Sequence, residues 1–188
     1  MLHIASLEAI SALLLKVPEL VDRLEKNDAT FHEGVAQWLA GVEKALVECR
    51  LPVAGRIASL RSAVLVSRRG VLTSGVVHHG RPTLRRVREA AAADALRIGN
   101  ELISKALEAD QARIQEGVRL LRQVVFVAAA RGLPLVPSPD VDRREALAAV
   151  WRTLLSTEEL RQGALSVESL LGRVDVLVAL DQAIATAQ

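Results

Sequence analysis

The chain has 188 residues, of which 51% are hydrophobic and 24% charged, with a formal net charge of +2. That length fits one domain, 1–188, able to bury roughly 70% of its unfolded surface without staples. Aromatic residues make up only 2%, with no Tyr, which argues against aromatic-walled ligand pockets and base-stacking platforms, and the single Cys49 excludes an internal disulfide framework.

Residues 3–15 read as a first helix through Ile4, Leu7, Ile10, Leu13 and Leu14, which Pro18 restarts or kinks. Leu20, Val21 and Leu24 carry the apolar face to about Lys26, and Asn27-Asp28 reads as a turn. Thr30 and Glu33 have the spacing of a capping box, the clearest helix start in the chain. The helix it opens runs to about Cys49 on Phe31, Val35, Trp38, Leu39, Val42 and Leu46. Pro52 starts another, with Val53, Ile57, Leu60 and Val64 on one face, ending near Arg69. Helical period is then lost over a Gly-rich basic loop, 70–81, where Gly70, Gly75 and Gly80 sit five apart. Val71 to Thr73 and Val76 to His78 flank Ser74-Gly75. A small β-hairpin at 71–79 and a mobile loop both fit this pattern, and the segment is expected to be the first cut by proteases, after Arg68, Arg69 or Arg81.

The stretch from Pro82 to Arg131 is the one around which the rest is arranged. A start at Pro and a stop at Gly132, with Pro134 beyond, predict one helix of about 50 residues and about 75 Å. Two apolar stripes run along it. One is Leu84, Val87, Ala91, Ala95, Ile98, Leu102, Ala106 and Ala109; the other is Leu96, Ile103, Leu107, Ile114, Leu121 and Val125. Two stripes imply partners on two sides. Near the end, Leu120, Leu121, Val124, Val125, Phe126 and Val127 leave little polar face, so that end is expected to be buried. Glu101/Lys105, Asp110/Arg113 and Glu116/Arg119 are spaced to pair, while Gly99 and Gly117 are weak points, each costing about 1 kcal/mol relative to Ala. A Pro-rich connector follows at 133–139, and Ser138-Pro139 opens a helix carrying Val141, Leu147, Val150, Trp151, Leu154 and Leu155. Thr157-Glu158-Glu159 starts a short helix that stops at Gly163, and Ser166 caps the last one. The fold class is all-α: a bundle of five to seven helices around one long central helix.

Catalytic signatures are missing. There is no Glu-x-x-His on two helices, no phosphate-binding Gly-x-x-x-x-Gly-Lys loop, no Gly-x-Ser-x-Gly elbow and no His-Glu-x-x-His. His78 and His79 are adjacent, so in an extended segment they point to opposite faces and make a poor metal pair. His32 reads as a helix-start residue and His3 as terminal and disordered. Cys49 sits at a helix end beside Arg50 without a base partner and reads as structural. Trp38 and Trp151 fall on apolar faces, as core or interface anchors. No cofactor or metal is expected.

Charge distribution is more informative than net charge. Residues 1–49 carry 4 basic and 8 acidic side chains, residues 50–97 carry 10 and 2, and residues 98–188 carry 10 and 12. All ten basic residues of the middle segment are Arg. Arg68, Arg69, Arg81, Arg85, Arg86 and Arg88 bracket the loop holding His78 and His79, as a contact surface for an anion or a partner. The acidic flanks offer these arginines partners within the chain or on a neighbour. No apolar run reaches about 18 residues, so no membrane span is expected; Glu8 falls too early for a convincing signal peptide; and the lone cysteine suits a reducing, cytoplasmic setting. The leading expectation is a non-catalytic helical subunit or adaptor with a protein partner, either a second copy or another subunit. The alternative is nucleic-acid or phosphate-ligand binding through residues 68–88.

Overall fold

The computed structural model describes residues 2–69, 83–135 and 142–187. They form an all-α bundle with one long helix, in the order α1 Ile4–Leu14, α2 Val17–Glu25, α3 Phe31–Glu48, α4 Ala54–Ser67, α5 Leu84–Ala130, α6 Arg143–Ser156, α7 Glu158–Leu171 and α8 Arg173–Ala187. The segment proposed as a hairpin or mobile loop at 71–79 and the Ser138-Pro139 helix start lie outside the described residues. Contacts group the chain into two units, Ile4–Glu108 with Leu2, and Ala109–Gln188 with His3. α5 is a continuous 47-residue helix, about 70 Å long, that supplies residues to both.

In the N-terminal unit α3 packs against α1, α2 and α4. Phe31, Val35, Trp38, Leu39, Val42 and Leu46 form one face of α3 and join Ile10, Leu20, Ile57, Val64, Leu96, Ile103 and Leu107 in a single core. Trp38 also donates its indole N–H to the Leu13 carbonyl at 2.8 Å, which ties the end of α1 to α3. Gly99 is no kink. A Cβ there would lie 3.1 Å from Trp38 Cζ3 and 3.3 Å from Leu39 Cδ2, so the missing side chain is what lets α5 pack closely against α3.

Among the described residues, three helices end in Schellman motifs. Asp28 N–H and Asn27 N–H bond to the Arg23 and Leu24 carbonyls after α2, Leu51 and Arg50 to Leu46 and Val47 after α3, and Leu133 and Gly132 to Ala128 and Ala129 after α5. The left-handed residue is Asn27 (φ 52°), Arg50 (φ 55°) and Gly132 (φ 71°) respectively. An L-residue in this region costs about 1–2 kcal/mol, and Gly carries no such penalty. Arg50→Gly is therefore expected to raise stability by about 0.5–1 kcal/mol in urea denaturation, because the Arg50 side chain makes no bond among the described residues that would be lost.

The capping box does not form. Thr30 is already helical (φ −90°, ψ −3°) and makes no side-chain cap bond. Its N–H and hydroxyl instead donate to Asp28 Oδ1 at 2.8 and 2.9 Å, and Glu33 faces Arg68. Asp28 therefore organises this helix start. These two bonds, the backbone one first, hold its carboxyl below the usual carboxylate range.

In the C-terminal unit α6 packs on α7 and α8, and α7 on α8. The core is Ile114, Leu121, Val124, Val125 and Ala128 of α5 with Leu147, Val150, Trp151, Leu154, Leu160, Val167, Leu171, Val176, Leu180 and Ile184. α6 starts at Asp142, whose carboxylate accepts the N–H groups of Arg144 and Glu145. The stop expected at Gly163 is inside α7 instead. A Cβ there would meet Val124 Cγ2 at 3.0 Å, so this glycine serves packing, and the break falls at Gly172 (φ 78°). Ser166 accordingly lies mid-helix and bonds back to the Gln162 carbonyl. His3, expected to be disordered, has its Nδ1 3.3 Å from the buried carboxylate of Asp175.

Along α5 the stripe Leu96, Ile103, Leu107, Ile114, Leu121 and Val125 is buried throughout. The other is buried at Val87, Ala91 and Ala95, half-buried at Ile98, Leu102 and Ala106, and exposed at Leu84 and Ala109. The expected burial of the far end is also only partial. Leu121, Val124 and Val125 face the core, but Phe126 is 75% exposed on the other side of the helix. Asp110/Arg113 and Glu116/Arg119 pair as expected, whereas Glu101 is met by Arg97, not Lys105.

Candidate functional site

The arginines of the middle segment meet mostly protein, and helix ends explain why. The last carbonyls of a helix lack partners and carry partial negative charge. Arg85, in the first turn of α5, donates from Nη2 to the Asn27 carbonyl at the end of α2 at 2.6 Å, while its Nε donates to Glu89 at 2.6 Å. Arg88, one turn on, donates from Nη2 to the Arg68 carbonyl at the end of α4 at 2.8 Å. Arg68 itself reaches Glu33 at 3.4 Å. The shared face of Arg85 and Arg88 thus closes two helix C-termini. Two of these four acceptors are backbone carbonyls, which charge counting along a sequence cannot see. Arg69 and Arg86 are exposed and have no side-chain partner among the described residues. His78, His79 and Arg81 lie outside the described residues.

Beside this cluster, still in the N-terminal unit, is a cleft of about 210 Å³ lined by Asp28, Ala29, His32, Arg85, Arg88 and Glu89. Arg88 Nε is buried, with no hydrogen-bond partner among the described residues. An unpaired buried donor is uncommon enough to require an explanation.

A second feature, in the C-terminal unit, was not singled out from the sequence. Between α6 and α8 runs a groove of about 550 Å³, lined by Leu147, Val174, Leu177 and Val178 and rimmed by Asp142, Arg144, Gln182 and the Arg143–Asp181 ion pair. Val174 and Val178 are 56% and 44% exposed, one helical turn apart. Arg144 is exposed and its side chain has no partner among the described residues. In the sequence, Val174 and Val178 look like core positions, because α8 is apolar on nearly every side: Val176, Ala179, Leu180, Ala183 and Ile184 take the core face.

Among the described residues no group of three His, Cys, Asp or Glu side chains could hold a metal ion, and no helix is long and apolar enough to cross a membrane. Cys49 is a half-buried free thiol ending α3. Compared with protein-family models, curated proteins and solved structures, the chain matches none.

Proposed function

We propose that this chain is a non-catalytic helical interaction protein, a subunit or adaptor, and that it takes an amphipathic helix of a partner protein into the α6–α8 groove. The observation carrying this reading is the exposed Val174/Val178 ridge beside an apolar groove, in a unit whose core is already complete without it. Apolar side chains at i and i+4 beside a groove suit a helical occupant whose own anchors repeat at i, i+3, i+4 and i+7. Arg144 at the rim, whose side chain makes no ion pair among the described residues, is placed to meet a carboxylate on that occupant, beside the Asp142 that caps α6.

Selection from a displayed library of random helical peptides tests this on the intact protein. Enriched peptides are expected to share that apolar spacing with an Asp or Glu at one end. They should bind Val178→Glu at least about tenfold more weakly, since a carboxylate there is buried unpaired on binding. Circular dichroism checks that the variant keeps its helicity. Peptides without the spacing, or equal binding to the variant, would overturn the reading.

A further inference from the structure

We infer that the outer face of the last turns of α5 binds a second copy of this chain, as an antiparallel helix pair centred on Phe126. The aromatic residues of the chain are two Phe and two Trp. Phe31, Trp38 and Trp151 are buried, whereas Phe126 is 75% exposed on the side of α5 opposite its core. One turn further on, Ala129 and Ala130 are exposed and small, so a neighbouring helix can approach closely there and seat an aromatic ring.

The charges on this face leave one cation over. Arg119 is held by Glu116, and Arg131 at the end of the helix by Glu159. Arg122, one turn before Phe126, is exposed and its side chain has no partner among the described residues. A matching acceptor stands one turn after Phe126. Pro134 has no N–H, so the Ala130 carbonyl receives no i+4 bond, and among the described residues no other backbone N–H donates to it. A twofold axis at Phe126 sets Arg122 of one copy opposite Ala130 of the other, because each lies four residues from the centre. A helical side chain leans toward the N-terminus of its own helix. In an antiparallel pair that lean carries Arg122 toward the open C-terminal end of the other α5, where partial negative charge gathers. The chain already makes such contacts within itself: Arg85, Arg88 and Arg113 donate to the Asn27, Arg68 and Leu170 carbonyls at the ends of α2, α4 and α7. Anchor, seat, cation and acceptor thus share one face and are spaced evenly about Phe126, the self-complementarity that an isologous contact requires. About four helical turns per copy make a small contact, so the dimer is expected in the micromolar range.

Sedimentation equilibrium of the full chain between about 1 and 500 μM tests the pairing, a range that brackets small contacts of this kind. A monomer–dimer equilibrium is expected. Phe126→Glu should raise its dissociation constant at least about a hundredfold, since the anchor is lost and two carboxylates meet at the axis. Arg122→Gln should raise it at least about tenfold, because symmetry removes the contact twice. Both variants should keep the circular dichroism of the wild type, as their side chains are exposed. Val178→Glu in the α6–α8 groove should leave the constant within about twofold, so failure of the docking role there leaves this dimer untouched. Orientation is read from a spin label at exposed Gln115, introduced by Gln115→Cys together with Cys49→Ala. Labels eleven residues from the axis in each copy should lie about 35 Å apart in the antiparallel pair, against about 10 Å in a parallel one. A monomer at every concentration, an unchanged constant in Phe126→Glu, or the short label distance would rule the pairing out.

Discussion

Replacing Trp38 by Ala is expected to destabilise the N-terminal unit by about 3–5 kcal/mol, the range for deleting a buried aromatic. Trp38 is 5% exposed in the core of α3, and three consequences of its loss add up. The indole leaves a cavity among Leu, Val and Ile side chains that cannot collapse fully. The Leu13 carbonyl loses its 2.8 Å donor at the end of α1. The close packing of α5 at Gly99 loses the surface it is built on, since that glycine faces Trp38 Cζ3 and Leu39 Cδ2. Urea denaturation followed by circular dichroism measures the effect. Trp151 fluorescence in the same variant reports the C-terminal unit separately. A change under about 1 kcal/mol would mean that Trp38 is not an anchor of this core.

Gly117→Ala should cost about 2–3 kcal/mol, although Ala is the better helix former by about 1 kcal/mol. The added Cβ would sit 2.5 Å from Leu171 Cδ2 and 2.6 Å from its Cγ. Leu171 is 1% exposed, and Cγ lies close to its own backbone, so the side chain cannot simply swing aside. Leu171→Ala alone should cost about 2–5 kcal/mol through the cavity it leaves. In the double variant the new methyl occupies part of that cavity, so the combined cost should fall short of the sum by at least about 1 kcal/mol. Thermal or urea denaturation of the four proteins gives the cycle. Simple additivity would show that the two residues do not share this contact.

These two glycines show what a sequence can and cannot carry. The ends of α5 were legible, because Gly132 stops a helix through its own backbone and Pro134 cannot continue one. The apolar stripe from Leu96 to Val125 was legible too, because helical period is a local property. Gly99, Gly117 and Gly163 read as weak points or a stop because propensity treats a glycine alone. Their purpose is set by Trp38, Leu171 and Val124, each dozens of residues away. The capping box failed for a nearer reason: Asp28, two residues upstream, accepts the Thr30 N–H that Glu33 would have taken and the Thr30 hydroxyl proton as well, while Glu33 N–H goes to the Thr30 carbonyl.

The candidate sites divide in the same way. Arg68, Arg85 and Arg88 stood out as charge, and the structure ties Arg88 to the Arg68 carbonyl and Arg85 to the Asn27 carbonyl. Charge alone could not separate Arg85, spent on Asn27 and Glu89, from Arg88, whose Nε has no acceptor among the described residues. The α6–α8 groove left no trace in the sequence. Leu147 and Leu177 have the same composition as the core beside them, and only the packing of α8 decides that Val174 and Val178 stay outside.

The proposed docking role is tested most directly by a photoreactive amino acid placed at Val178 in the full chain, expressed in the organism that makes it, with the same group at exposed Glu116 as the control. Crosslinks from position 178 are expected to fall on one helical segment of one other protein, with apolar residues at three- and four-residue spacing, and to disappear when Val174 is changed to Glu; position 116 should give none of them. Crosslinks scattered over many proteins, crosslinks to a second copy of this chain, or equal yields from positions 178 and 116 would contradict it.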